Sequence, residues 1–229
     1  MKLAQNIALL PIGREGMGNL NLVLAWDDKS LVLIDAGVPG QTDDIVKAIE
    51  GEGFRAEGLT HIILTHQDWD HTGCVSDLRK LAPNVKVVAH VDEAPYIDGR
   101  VLPIKLAARL EQYDTMPEDA KAGIDRWKDM YENSPILVNE QMTDGQVLSI
   151  CGGIEIVHVP GHTPGHIAIY LQESRIIVCG DAANIKDGKL AGSNPIHTHD
   201  MKQAKESLEK IKSYDLRGVV TYHTGFLQY

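Results

Sequence analysis

Within Thr65-His66-Gln67-Asp68-Trp69-Asp70-His71, four side chains of metal-ligand type fall within six residues. Imidazole nitrogens and carboxylate oxygens are the donors that bind zinc, iron and manganese. Where a chain leaves a strand still extended, alternate residues point to one side, so His66, Asp68 and Asp70 are expected to converge. His71, opening the next helix, would add a donor from another direction. A polar turn that only caps a helix needs an acceptor for free amides, which Asp70 could be. It has no use for two histidines flanking two aspartates.

Three later segments repeat the design. Val157-His158-Val159-Pro160-Gly161-His162-Thr163-Pro164-Gly165-His166 runs from an apolar stretch into a turn, Ile177-Val178-Cys179-Gly180-Asp181 ends in a carboxylate, and Val219-Val220-Thr221-Tyr222-His223 ends in a histidine. Each places a ligand-type residue (His162, Asp181, His223) at the C-terminal end of an apolar run, where a rigid element holds a functional loop. One such histidine alone reads as a satisfied polar residue at a strand end. Four segments together point to a metal site.

The elements that must position these residues follow from apolar patterning and turn signals. Strands are predicted at Leu20–Trp26 and Leu31–Ile34, joined as a hairpin through Asp27-Asp28-Lys29-Ser30, and again at Leu59–Thr65 and Val85–His90. Helices are predicted at Thr42–Gly51, with Thr42 or Asp43 as N-cap, and at Cys74–Leu81, before Pro83. From about Pro103 to Asn133 the character is helical, with Leu106, Leu110 and Tyr113 on one face and Ile124, Trp127 and Tyr131 on another. Strands return at Val147–Ile150, Ile154–Val159, Ala168–Leu171, Ile176–Cys179 and Val219–Tyr222, with an amphipathic helix at Met201–Ser213 that turns Ala204, Leu208 and Ile211 inward. This order suggests two similar halves, each a sheet with helices outside, separated by a helical insert. No sequence-level repeat marks the halves.

Length and composition narrow the function. A chain of 229 residues with 43% hydrophobic content suits one domain spanning 1–229. A net charge of −10 without clustered Lys or Arg argues against nucleic acid as a partner. Nothing approaches the roughly 20 apolar residues that span a bilayer, and the run Ile7–Ile12 is shorter than a signal-peptide core. A cytoplasmic protein without a membrane partner is expected. Cys74, Cys151 and Cys179 form neither a C-x-x-C pair nor an even disulfide framework, so free packing thiols are expected. Gly13-x-x-Gly16-x-Gly18 lacks both the spacing and the Lys-Ser/Thr of a phosphate loop.

Taken in order from His66 to His223, the motifs resemble those of the metallo-β-lactamase superfamily: H-x-H-x-D-H, then a His, a bridging Asp and a final His. Asp35-Ala36-Gly37 resembles the Asp-x-Gly turn before the main motif, Pro160–His166 the third motif and Gly180-Asp181 the fourth. The resemblance implies an α+β fold, a four-layer αββα sandwich with metals at one edge between the sheets, and hydrolysis as the commonest activity. It also implies that His66, Asp68 and His162 hold one metal and Asp70, His71 and His223 the other, with Asp181 bridging. The departure is Asp68, where the family usually has His. An anionic oxygen there favours harder ions, so manganese or iron joins zinc, the first choice for two divalent metal ions.

Two cations roughly 3.5–4 Å apart can share a hydroxide and polarise a carbonyl oxygen. Asp70 is expected to act as the catalytic residue, orienting that hydroxide and passing a proton to the leaving group. His166 is expected to work through the ligands. The leading expectation is a dinuclear metallo-hydrolase acting on an ester-type bond (lactone, thioester or carboxylic ester) of a small-molecule substrate. His197 and His199, in the loop after Asp181, are candidate substrate contacts. Met116, Trp127 and Tyr131 are expected either to line an apolar pocket or to form the core of the insert. One alternative is a diiron redox protein of the same fold, whose branch also has a carboxylate at this position but normally carries a flavin-binding partner domain. The other is a catalytically impaired sensor or binding domain. Oligomeric state is not legible, and a homodimer is the common outcome for soluble enzymes.

Overall fold

Leu20, Leu22 and Leu24 alternate with Val23 and Ala25 in one run, and all five are buried. A strand buried on both faces needs a cover on each side. The computed structural model, which describes residues 1–14, 18–133 and 136–229, supplies both covers. Gly16 and Pro135 lie outside the described residues. Leu20, Leu22 and Leu24 enter a core shared with the helices, whereas Val23 and Ala25 enter a core shared with a second sheet.

The strands β1 (Lys2–Ala4), β2 (Ile7–Arg14), β3 (Gly18–Trp26), β4 (Leu31–Ile34), β5 (His61–Ile63), β6 (Lys86–His90) and β7 (Glu140–Met142) lie side by side in chain order. Pairing is antiparallel from β1 to β4 and parallel from β4 to β7. Downstream come β8 (Val147–Leu148), β9 (Ile154–His158), β10 (Ile167–Leu171), β11 (Ile176–Val178), β12 (Ala183–Lys186), β13 (Lys189–Gly192), β14 (Gly218–Thr221) and β15 (Gly225–Gln228). Strands β12 and β13 form their own hairpin, and the other six make a second sheet in the order β15-β14-β11-β10-β9-β8.

Helices α1 (Thr42–Gly51), α2 (Trp69–Thr72), α3 (Val75–Leu81) and α4 (Ala94–Ile97) connect strands of the first sheet. The insert holds α5 (Ile104–Leu110) and α6 (Glu118–Asn133), and α7 (Met201–Lys212) covers the second sheet through Ile211 and the half-buried Leu208, while Ala204 is buried against Gly161. The three cores, helix–sheet, sheet–sheet and sheet–helix, are the fillings of a four-layer αββα sandwich. This is the expected fold.

Several boundaries differ from expectation for local reasons. Gln41, not Thr42 or Asp43, is the N-cap residue of α1, and its side chain instead accepts from Val38 N and donates to Gly13 O. The ladder of β5 stops short of Thr65 because the Thr65 N–H donates to the Asp35 carboxylate at 2.9 Å. Strands β1, β2, β7, β12, β13 and β15 lie where no strand is predicted. The three cysteines are free, and Cys74 donates its thiol to Val38 O within the core. Among the described residues, no helix is long and apolar enough to cross a membrane.

Candidate metal centre

The first motif is fixed by Asp35, which follows β4 and takes a left-handed φ of 61°, uncommon for a residue with a side chain. Its carboxylate accepts the Thr65 N–H at 2.9 Å, the Thr65 hydroxyl at 3.0 Å and His71 Nδ1–H at 2.8 Å. With its proton given to Asp35, Thr65 Oγ1 accepts from His66 Nδ1 at 3.0 Å. Nδ1 of each imidazole is therefore committed as a donor, which turns the Nε2 edge of both rings toward the centre. Those Nε2 atoms, of His66 and His71, are buried and make no hydrogen bond among the described residues.

The remaining donors arrive from the second sheet. His162 follows β9, and its Nδ1 lies 3.1 Å from Ser193 Oγ. Asp181 follows β11, after Gly180 at φ 51°, where a Cβ would stand 2.8 Å from Thr65 Oγ1. His223 follows β14. Its neighbour Tyr222 is held at both ends: its carbonyl accepts both Asn21 amides at 2.8 Å, and its hydroxyl donates to Asp70 O at 2.6 Å.

All seven sequence-predicted ligands meet, in two adjoining groups. His66, Asp68, His162 and Asp181 direct donor atoms at one point, and Asp70, His71 and His223 at another. Asp181 reaches both: Oδ2 is 3.5 Å from His162 Nε2, and Oδ1 is 3.5 Å from His71 Nε2 and 3.3 Å from His223 Nε2. Asp68 Oδ2 lies 3.1 Å from both His66 Nε2 and His162 Nε2. Imidazoles and carboxylates in this ratio, with two buried Nε2 atoms that have no hydrogen-bond partner among the described residues, fit divalent cations.

Electrostatics agree with that fit. Burial, with His71 adding to it, pushes His66 down to about 4, so its imidazole is neutral and able to ligate. Burial raises Asp68 and Asp181, but the surrounding histidines outweigh it and hold both well below the usual carboxylate range. Burial would lower His71, yet Asp35 and Asp181 raise it well above its ordinary value. A cation at His71 Nε2 therefore displaces a proton. His166 is buried against His66, with ring centroids 4.6 Å apart, and its Nε2 accepts the Asp181 N–H at 3.1 Å.

Asp68, Asp70, His162, Asp181 and His223 line a cavity of about 680 Å³, of a size that holds small ligands. Trp127, His197 and His199 line it, as does the exposed Ile196. Neither Met116 nor Tyr131 lines it; Tyr131 is buried and donates its hydroxyl to Gln67 O at 2.5 Å. A further group, His90, Asp92 and His158, brings donor atoms together elsewhere. Its imidazoles stack face to face at 9°, which sets their in-plane lone pairs parallel rather than converging on an ion.

Sequence patterning missed Glu93, Lys105, Arg109 and Tyr222. Glu93 is buried and bonds both Gln67 and Gly165. Lys105 and Arg109 lie one turn apart on α5 and line the cavity. Only Tyr222 carried a signal, as an aromatic directly before a ligand-type histidine.

A sequence model of the metallo-beta-lactamase superfamily matches residues 14–223. A probable metallo-hydrolase of Bacillus subtilis, YflN, is 30% identical over 219 residues, covering 87% of this chain and 77% of the relative. The hydroxyacylglutathione hydrolase GloC of Haemophilus influenzae is 26% identical, covering 77% of this chain and 71% of the relative. The crystal structure of the metallo-beta-lactamase family protein TTHA1429 from Thermus thermophilus superposes with a TM-score of 0.77 at 21% identity, covering 99% of this chain and 76% of that one. At that identity the likeness shows the fold alone.

Proposed function

The chain belongs to the metallo-beta-lactamase superfamily and is a hydrolase of that family, and on that premise we propose that it holds two divalent cations and cleaves an ester-type bond (lactone, thioester or carboxylic ester) of a small substrate. His66, Asp68 and His162 would hold one cation, Asp70, His71 and His223 the other, with Asp181 between them. The observation that carries this reading is the span of Asp181, whose two oxygens approach histidines of both groups at 3.3–3.5 Å. Zinc suits the imidazoles, and the three carboxylates extend the choice to manganese or iron.

When bound, such cations polarise a scissile carbonyl and acidify a water nucleophile. The chain's own residues do the rest. Asp70, fixed through its backbone by Tyr222, faces the cavity and would orient the nucleophile and carry its proton to the leaving group. Asp35 and Thr65 keep the lone pairs of His71 and His66 aimed inward. Ile104, Ala108 and Trp127 give the cavity an apolar wall for an acyl chain. The name of the Haemophilus influenzae relative supports a thioester within this class.

The reading is tested with metal-loaded protein on a panel of lactones, thioesters and carboxylic esters. Turnover of at least one class, lost on chelation and restored by zinc or manganese, is expected. Protein with measured bound metal that turns over none of them overturns the substrate class.

A further inference from the structure

We propose that the Lys105 ammonium competes with a divalent cation for the Asp68 side of the centre, so that the two cation sites differ in affinity and the Asp68 site fills last. This inference rests on the two-cation reading above. Lys105 is the second residue of α5, and the preceding Ile104 N–H donates to Gln67 Oε1 at 2.8 Å. The following residue, Leu106, is fully buried and anchors the helix. Helix α5 is thus fastened to the residue adjacent to Asp68. From there Lys105 Nζ forms an ion pair with Asp68 Oδ2 and lies 3.0 Å from His162 Nε2. Two of the four side chains grouped on that side already touch a cation supplied by the chain.

The other side has no lysine or arginine in that place. Among the described residues, neither Asp70 nor Asp181 pairs with a lysine or arginine; their ionic partners are histidines. The pairing also depends on the acid at position 68. A neutral imidazole there would offer the ammonium no counter-charge, whereas a buried carboxylate stripped of its partner is costly. An incoming ion must displace a tethered charge, which acts at high effective concentration. On the Asp70 side an incoming ion has no lysine or arginine to displace among the described residues.

The test titrates metal-free protein with zinc against a chromophoric chelator and counts bound metal by elemental analysis. Wild-type protein is expected to bind one ion tightly and a second at least about tenfold more weakly. Lys105→Met keeps the aliphatic stem and loses the charge, and should tighten the second ion by about tenfold or more. Lys105→Arg keeps the charge and should leave the second ion weak. Lys105→Gln serves the same purpose if the methionine variant fails to fold. Two equally tight sites in the wild type, or a folded Lys105→Met or Lys105→Gln protein with an unchanged second site, overturn the competition while leaving the hydrolase reading intact. A wild-type protein that binds neither zinc, manganese nor iron overturns both.

Discussion

Glu93 Oε2 accepts both amides of Gln67, the backbone N–H at 3.0 Å and Nε2 at 2.9 Å, while Oε1 accepts the Gly165 N–H at 2.9 Å. One buried carboxylate thereby joins the loop of the first motif to the loop that carries His162. Gly165 is required for the approach, since a Cβ there would stand 2.7 Å from Glu93 N. Glu93→Ala leaves these buried donors without an acceptor, at a cost of about 1–3 kcal/mol for each group. A clear fall in the urea unfolding midpoint is expected. An unchanged midpoint would mean that the junction contributes nothing to stability.

Burial pushes the Glu93 carboxyl up to about 7, against hydrogen bonds from Gln67 and Gly165 that pull it down. The folded state therefore binds this proton more tightly than the unfolded state, where the value is 4.5. The stability contribution is complete below the unfolded value and is lost as pH rises through about 7. Urea unfolding across that window should show wild-type stability declining relative to Glu93→Gln, which has no proton to lose. Parallel pH profiles for the two proteins would contradict this.

Asp35 touches no predicted ligand atom, yet it sets the His71 tautomer directly and that of His66 through Thr65. Asp35→Ala is expected to lower metal affinity by about 10–100-fold, as loss of such partners does elsewhere. Competition titration reads this directly. Affinity within twofold of wild type would show that packing alone orients the imidazoles.

Asp70→Ala is expected to lower turnover by about 10²–10⁴-fold, the usual range for general acid–base groups. Bound metal, counted on the same sample, should fall by no more than one equivalent. Turnover near the wild-type value would remove Asp70 from the mechanism.

The convergence of the seven candidate ligands is legible because each follows an apolar run, and strand β5 before His66 or β14 before His223 announces itself by its run of apolar residues. Lys105 and Glu93 were not legible for the opposite reason. A lysine on a short amphipathic helix reads as a solvated face, and only the approach of α5 to Asp68, across 37 residues of chain, gives it a role. Glu93 acquires its role through Gly165, 72 residues away. Strands β12 and β13 are four residues each and half-buried, too short and too weakly patterned to stand out from loop. The N-cap of α1 was misplaced because the Gln41 side chain bonds Val38 and Gly13 rather than the helix.

Each sheet is built from its own continuous stretch of chain, Lys2–Met142 and Val147–Gln228, and donors from both converge between them. Each half can thus pair its strands before the two meet, whereas the donor set is complete only once they have docked. Ions held from both sides, as proposed above, would have to be released before the halves separate. Loading would act on the lifetime of the folded chain more than on its rate of formation, because it strengthens contacts made late. A chelated sample and a loaded one should therefore differ most in how fast they yield to protease under conditions where unfolding is the slow step.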